Sequence, residues 1–364
     1  MLEHNVTVPL LVTTSVYGSH TALSGYGALA THLQPQHLVT EPRTQPHDLA
    51  GRAWTWLLTR GSFCRWYRPS SSKMEWRAYR LLRSGFTGIV HVFWADHDLG
   101  YLDVISKRTR TPICGTFHNC DDTLPENLRF PARLRQLAAI ILMSETQRAF
   151  FQDRGVPPER IHVIHHGVDT DFFRPPLARE SEPFTALSVG SYRRNFSLLA
   201  DICRALVDVS AIRFRIVAAP HFASLFDGLP NVAFLSGITD EQLLAEYQRA
   251  SCFIATAENC TANNALVEAM ACGLPVVGER VGGIPEYVNE TCSVLVKKNS
   301  REEMVQALQA LANDPRRRSE MGARSQARAS DLDWRNVAKK TESVYSNLSG
   351  EGRAKSEERS LVVL

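Results

Sequence analysis

An α/β protein of two doubly wound domains is what this sequence predicts, and three observations carry the expectation. The chain has 364 residues, more than one hydrophobic core usually serves, since single cores tend to split near ~250 residues. Short apolar runs recur along its length with gaps long enough for helices, the rhythm of βαβ units and parallel sheets. Near the middle, Pro175-Pro176 and the polar stretch 178–182 break that rhythm, because consecutive prolines favour an extended connector over a helix.

The first set of strand candidates is 6–14, 88–94, 112–116, 138–143 and 161–165. Segment 6–14 is rich in β-branched residues and ends in small polar ones, as a buried parallel strand leading into a functional loop would. The second set is 186–189, 214–218, 232–235, 252–255, 275–278 and 293–296. The domain organisation follows: residues 1–173 form an N-terminal Rossmann-like domain, 174–183 a linker and 184–330 a C-terminal Rossmann-like domain. A helix at 331–348 packs back on the first domain, and 349–364 is a loose polar tail.

Composition narrows the function classes. The hydrophobic share of 44% and charged share of 22% are those of an ordinary globular protein. A net charge of +3 is too small to imply nucleic acid by itself, and no aromatic-studded basic motif of an RNA or DNA reader is present, so no nucleic-acid partner is expected. The eight cysteines show no paired CxxC spacing and read as reduced core residues. His91, His97, Cys120, Asp121 and Asp122 supply metal-ligand atoms without a tetrahedral spacing, so no metal or other cofactor is expected. Segment 1–9 lacks the pattern of a secretion signal, and no apolar stretch approaches the ~18 residues that span a bilayer. A cytoplasmic location follows, with attachment at the inner face of the membrane as the variant reading.

Residues 252–288 carry the chemistry. An apolar strand ends near Thr256, a polar loop follows, and helix formers begin at Ala265 with Leu266, Val267 and Glu268. A helix N-terminus offers unpaired N–H groups and partial positive charge, so a diphosphate set before Asn264 and Ala265 is held without a metal. Glu268, one turn in, is placed to accept two ribose hydroxyls, although the same carboxylate could be a plain helix-surface group. Gly273 ends the helix, Pro275 starts the next strand, and Gly282-Gly283 lets backbone turn close to a ligand.

The string EAMACGLPVVGERVGGIPE, residues 268–286, closely resembles the donor-binding signature of the family 4 (group 1) retaining glycosyltransferases. That resemblance implies the GT-B fold: two facing Rossmann-like doubly wound domains with a cleft between them. It extends to Gly167-Val168-Asp169-Thr170, followed by Phe172, Phe173 and Pro175, and to the loop Ser191-Tyr192-Arg193-Arg194. In the family an Arg and a Lys on this loop pair with the diphosphate. Ser191 stands where the Arg often is, so Arg193 or Arg194 supplies the cation, a good fork for phosphate oxygens. The donor then lies along Asn263, Asn264, Ala265, Leu266 and Glu268. One departure stands out: the family has a glutamate eight positions before Glu268, where this chain has Cys260. Glu258, Asn263 and Asn264 are the candidates to take its role near the donor sugar.

In the N-terminal half, Ser24-Gly25-Tyr26-Gly27-Ala28 places small residues before an apolar helix. The segment mimics the dinucleotide fingerprint GxGxxA, but some ten residues separate it from the first strand, whereas that fingerprint follows its strand directly. By resemblance, Gly25 and Gly27 approach the diphosphate. His118 follows a strand end and matches the family's histidine near the donor sugar. Segment 94–98, with Asp96, His97 and Asp98, is a candidate acceptor wall. Between Arg43 and Arg83, basic residues interleave with Trp54, Trp56, Phe63, Trp66, Tyr67, Trp76 and Tyr79, which suits a surface resting on anionic lipid.

The resemblance implies a metal-independent hexosyltransferase-like enzyme moving a sugar from a nucleotide-diphosphate donor to a hydroxyl acceptor, in one reading lipid-linked, in glycan or glycolipid biosynthesis. Two alternatives stand beside it: a non-catalytic nucleotide-sugar-binding subunit, motivated by Cys260, and a sugar-nucleotide epimerase of the same architecture.

Overall fold

Parallel pairing builds two separate sheets from this chain. The computed structural model describes residues 8–17, 23, 25–43, 53, 56–57, 59–105, 109–178 and 183–349. The chain divides into two compact units, residues 1–165 with 334–364 and residues 166–333. Ser24, Trp54, residues 179–182 of the expected linker and all but Ser349 of the expected tail lie outside the described residues.

The first unit holds β1 (Leu10–Val16), β2 (His37–Pro42), β3 (Ile89–Val92), β4 (Ile113–Phe117), β5 (Ala139–Leu142) and β6 (Ile161–Val163). They lie in the order β2-β1-β3-β4-β5-β6, every pair parallel. Val12 pairs with Leu38 on one side and His91 on the other. Residues 10–15 are buried, as parallel strands covered on both faces must be. The apolar runs do not predict β2. Its sequence HLVTEP is half-exposed and ends on proline, tolerable because it is an edge strand.

Beside this sheet lie α1 (Leu29–Leu33) and α2 (Pro69–Arg83). Proline at the first position of α2 removes an N–H that would have no partner anyway. Met74, Ala78 and Leu82 fall on one face and join the core with Val90, Val92, Ile113 and Ile140. Burying Met74 and Leu82 contributes roughly 1.5–3 kcal/mol each.

The second unit holds β7 (Phe184–Val189), β8 (Ile212–Val217), β9 (Val232–Leu235), β10 (Cys252–Ala255), β11 (Val276–Glu279) and β12 (Ser293–Val296). Their order is β12-β11-β10-β7-β8-β9, again parallel throughout. Counted from β7, that is the 3-2-1-4-5-6 order of a dinucleotide-binding sheet. Between strands run α3 (Phe196–Ala205), α4 (Asp240–Arg249) and α5 (Asn264–Ala271), and α6 (Arg301–Asn313) and α7 (Pro315–Ser330) follow the last strand. Strand alternation splits the core in two. Leu187, Phe253 and Val276 pack on one face with α5, while Ala186, Ile254 and Val277 pack on the other with α3 and α6.

The last helix, α8 (Trp334–Leu348), belongs to the first unit and packs on α1. Tyr345 on α8 hydrogen-bonds His91 Nδ1 at 2.5 Å, and His91 Nε2 meets Thr116 Oγ1 at 2.7 Å. Burial pulls the His91 pKa down to about 3, so the ring is neutral. All eight cysteines are buried.

Candidate active site

In a doubly wound sheet, ligands bind beyond the strand C-termini where the strand order reverses. In the second unit that point lies between β7 and β10. β7 runs out at Gly190, whose φ of +101° is natural only to glycine; a Cβ there would lie 3.0 Å from the Arg194 guanidinium. Arg193 also takes a left-handed φ, 52°, and its carbonyl accepts from Glu258 N at 3.1 Å, while Asn195 N donates to Thr256 O at 3.0 Å. The loops after β7 and β10 are thereby laced together, with Arg194 and Ala257 bridged.

Arg194 is the product of that lacing. Its Nη2 donates to Asn263 Oδ1 at 2.7 Å, its Nη1 to Tyr192 O at 3.2 Å and its Nε to Val189 O at 3.3 Å. These acceptors are neutral, and among the described residues no carboxylate is paired with it. Burial draws its pKa down, yet a guanidinium stays charged at working pH. Asn263 is also the N-cap of α5, its Oδ1 accepting Leu266 N at 3.2 Å. The N–H groups of Asn264 and Ala265 are left at the open end of the helix. Asn263 Nδ2 and Thr256 Oγ1 are buried with no hydrogen-bond partner among the described residues. A cation, a helix N-terminus and two unsatisfied polar atoms thus meet at one switch point, an arrangement suited to an anion.

The remaining named residues of this unit fall around it. Glu268 is 4% exposed rather than a surface carboxylate; its Oε2 accepts from Tyr247 Oη at 2.8 Å. Glu258 has an exposed side chain. Cys260 is buried, and burial pushes its thiol pKa up. Its carbonyl accepts Gly283 N at 2.7 Å, and a Cβ on Gly282, φ +50°, would fall 2.1 Å from that oxygen. Sequence reasoning missed Glu279, the buried last residue of β11. Its carboxylate accepts Ala257 N at 3.0 Å and Asn299 N at 2.6 Å, tying the β10 loop to the sheet edge. The only signal was a carboxylate closing an otherwise apolar strand.

In the first unit the order reverses between β1 and β3. Gly25, φ +98°, opens the turn Tyr26–Ala28, whereas Gly27 is exposed and a Cβ on it would meet nothing within 4 Å. Gly25 is therefore required by backbone shape and Gly27 is not. His118 stacks on Trp94, ring centroids 3.9 Å apart, with Tyr26 edge-on at 4.8 Å. Its Nε2 donates to Phe93 O at 2.8 Å. Asp96 is fully buried and accepts the backbone N–H groups of His118 and Asn119 at 2.7 and 2.6 Å. Burial raises its pKa to about 7. Asp98 accepts from Ser15, Ser71 and Arg43 at 2.9, 2.7 and 3.2 Å, so it braces the wall from within. Of the aromatic residues of the basic stretch, Phe63 and Tyr67 are core, while Trp56 and Trp76 are exposed.

Two doubly wound parallel sheets, each with its switch point furnished this way, define a GT-B architecture. Sucrose-phosphate synthase from Thermosynechococcus elongatus shares it at a TM-score of 0.71 and 17% identity, over 94% of this chain and 100% of that one. Anabaena HepE, solved in complex with UDP-glucose, does so at 0.65 and 15%, over 94% and 100%. Residues 27–172 match the family described as Glycosyltransferase Family 4, and residues 183–314 match Glycosyl transferases group 1. The chain belongs to this glycosyltransferase family. Among curated relatives, the MMP alpha-(1->4)-mannosyltransferase of Mycolicibacterium hassiacum is 29% identical over 58% of this chain and 54% of its own. A D-inositol 3-phosphate glycosyltransferase of Streptomyces bingchenggensis is 24% identical over 72% and 67%. The chain thus matches about half the length of the first and two thirds of the second.

Proposed function

We propose that the protein is a retaining glycosyltransferase that moves a sugar from a nucleotide-diphosphate donor to a hydroxyl acceptor in glycan or glycolipid biosynthesis. The observation that carries this reading is Arg194 joined through Asn263 to the N-terminus of α5 at the switch point of the second unit. In this reading the donor diphosphate lies against Arg194, with Arg193 beside it, and against Asn263, Asn264, Ala265 and Leu266. Glu268 takes the ribose, oriented by Tyr247. Gly25, Gly27 and His118 serve the donor from the first unit, and Glu258 stands in for the carboxylate that Cys260 lacks.

The acceptor oxygen bonds to the anomeric carbon as the carbon–phosphate-oxygen bond breaks on the same face. The acceptor proton passes to the departing phosphate oxygen, leaving a nucleoside diphosphate. Charge on that group is what Arg194 and the helix N-terminus are built to stabilise. No metal is assigned a role.

Peripheral membrane attachment is the finer part of the proposal. No described helix is long and apolar enough to cross a membrane. α2 exposes Lys73, Trp76, Arg77, Arg80 and Arg83, a basic face with an aromatic anchor suited to anionic lipid and a lipid-linked acceptor.

The test is a thermal-shift series of UDP-, GDP- and ADP-sugars with chelator present. One nucleotide class should raise Tm, because a ligand of the folded state stabilises it by mass action, and Glu268→Ala should abolish the shift. No shift with any donor would sink the reading.

A further inference from the structure

β4 ends at Phe117, and the peptide groups beyond it need partners from outside the ladder. They find them on both sides. From the loop after β3, Asp96 Oδ2 accepts His118 N at 2.7 Å and Asn119 N at 2.6 Å. From the loop after β5, Gln147 Nε2 donates to Phe117 O at 3.0 Å and to Asn119 O at 2.9 Å. Each side chain suits its side: two N–H groups call for a carboxylate oxygen, and two carbonyls call for an amide NH2.

Both side chains are themselves held. Asp96 and Gln147 are fully buried. The Asp96 carbonyl accepts from Asn127 Nδ2, and Gln147 Oε1 accepts Met143 N at 2.8 Å and Ser144 N at 3.1 Å. Between buried Phe117 and Asn119, His118 is the half-exposed residue. Its ring is seated by the segment that carries Asp96. Trp94 stacks on it with 28° between the planes, and Phe93 O accepts from Nε2. Backbone and ring of His118 are thus both referred to residues 93–96, so a shift of the loop against that segment unseats the ring.

We propose that Asp96 is a positioning residue, which with Gln147 holds the backbone of residues 117–119 so that the His118 imidazole keeps its seat on Trp94. The bearing of this clamp on turnover rests on the transferase reading, in which His118 serves the donor. A site group misplaced by about 1 Å can cost about a hundredfold in rate, and buried partners of this kind prevent the misplacement.

The reporter is the His118 ring resonance in histidine-labelled full-length protein, assigned by its loss in His118→Gln. Stacking on the indole shields it, so it should lie upfield of the resonance of exposed His32. Asp96→Leu removes the acceptor and should carry the resonance toward the His32 position. Gln147→Glu sets carboxylate oxygens against two carbonyls and should do the same. Asp96→Asn keeps an acceptor oxygen and should leave the resonance in place. The His91 resonance, from the same unit, should stay put throughout, which separates a local clamp from general loosening. If Asp96→Leu does not melt cooperatively, Asp96→Ser, too short to span both N–H groups, takes its place. An unmoved His118 resonance in the folded variant, or a moved His91, would overturn the proposal.

Turnover is read as nucleoside diphosphate released from whichever UDP-, GDP- or ADP-sugar raises Tm. Asp96→Leu should lower kcat at least tenfold with KM within threefold, and should cost nothing further in a His118→Ala background. An equal loss in both backgrounds would overturn the proposal. Absence of turnover with every donor would count against the transferase reading, while the ring resonance still decides the clamp.

Discussion

At the scale of single residues, Arg194 decides most. Its acceptors are neutral, so the charge is held in place without being neutralised and remains available to a ligand. A lysine at this position keeps charge but loses the fork. Arg194→Lys is expected to weaken donor binding at least tenfold by calorimetry, with Tm of the free protein little changed. Asn263→Ala removes a helix cap worth about 1 kcal/mol and frees the guanidinium, so it should lower both stability and donor affinity. Asp96 makes a pH prediction. Burial raises its pKa to about 7, against ~3.9 for an unperturbed aspartate. The folded chain therefore holds a proton that the unfolded chain has lost, and the associated stability, full below pH ~4, disappears as pH rises through about 7. His91 and His97, both pulled down to about 3 by burial, run the opposite way below pH ~6.5, so the parent's own profile mixes the two. Subtracting Asp96→Asn isolates the carboxyl. Denaturant unfolding should show the variant gaining roughly 1–3 kcal/mol on the parent between pH 5 and pH 8.

At the scale of elements, the turn after β11 and the turn before α1 both carry glycine pairs or near-pairs, with opposite requirements. Gly282→Ala drives a Cβ to 2.1 Å from the Cys260 carbonyl at a positive φ. It should cost at least about 2 kcal/mol and displace the β10 loop, read as a lower Tm and a lost donor shift. Gly27→Ala meets open space and should stay within ~0.5 kcal/mol of the parent. A small-residue motif looked alike in both places, because a sequence does not record which glycine carries the strained backbone. The basic face of α2 gives the membrane test. Lys73→Glu/Arg80→Glu should halve or worse the fraction that sediments with phosphatidylglycerol vesicles at low salt, and loss of binding at high salt should accompany it.

At the scale of the whole molecule, the two units differ in how the chain closes them. The second is one continuous stretch, 166–333, with a core on both faces of its sheet. Expressed alone, that fragment should melt cooperatively and show the nucleotide shift of the full chain. The first unit is discontinuous and needs α8. Without it, His91 loses its tyrosine partner and the buried Tyr26 ring its edge contact with Trp334. Residues 1–165 alone should therefore lack a sharp transition by circular dichroism. Tyr345→Phe should cost about 1–3 kcal/mol, the penalty of a buried polar atom left unpaired.

The strand runs and the helix after the β10 loop were legible because they rest on local chemistry: β-branched runs, helix formers from Ala265 onward, a glycine that ends a helix. The runs and their spacing pointed to the α/β class, and the resemblance of residues 268–286 to a known signature pointed to the family. What the tertiary structure decided was pairing between distant segments. Only folding shows that Arg194 reaches Asn263, that Glu268 is buried against Tyr247, and that Glu279 bridges Ala257 and Asn299. The same holds for β2, recognisable once β1 pairs with it. A hydrogen bond or an ion pair depends on distance and direction in space, and neither is written in the order of residues until the sheets bring them together.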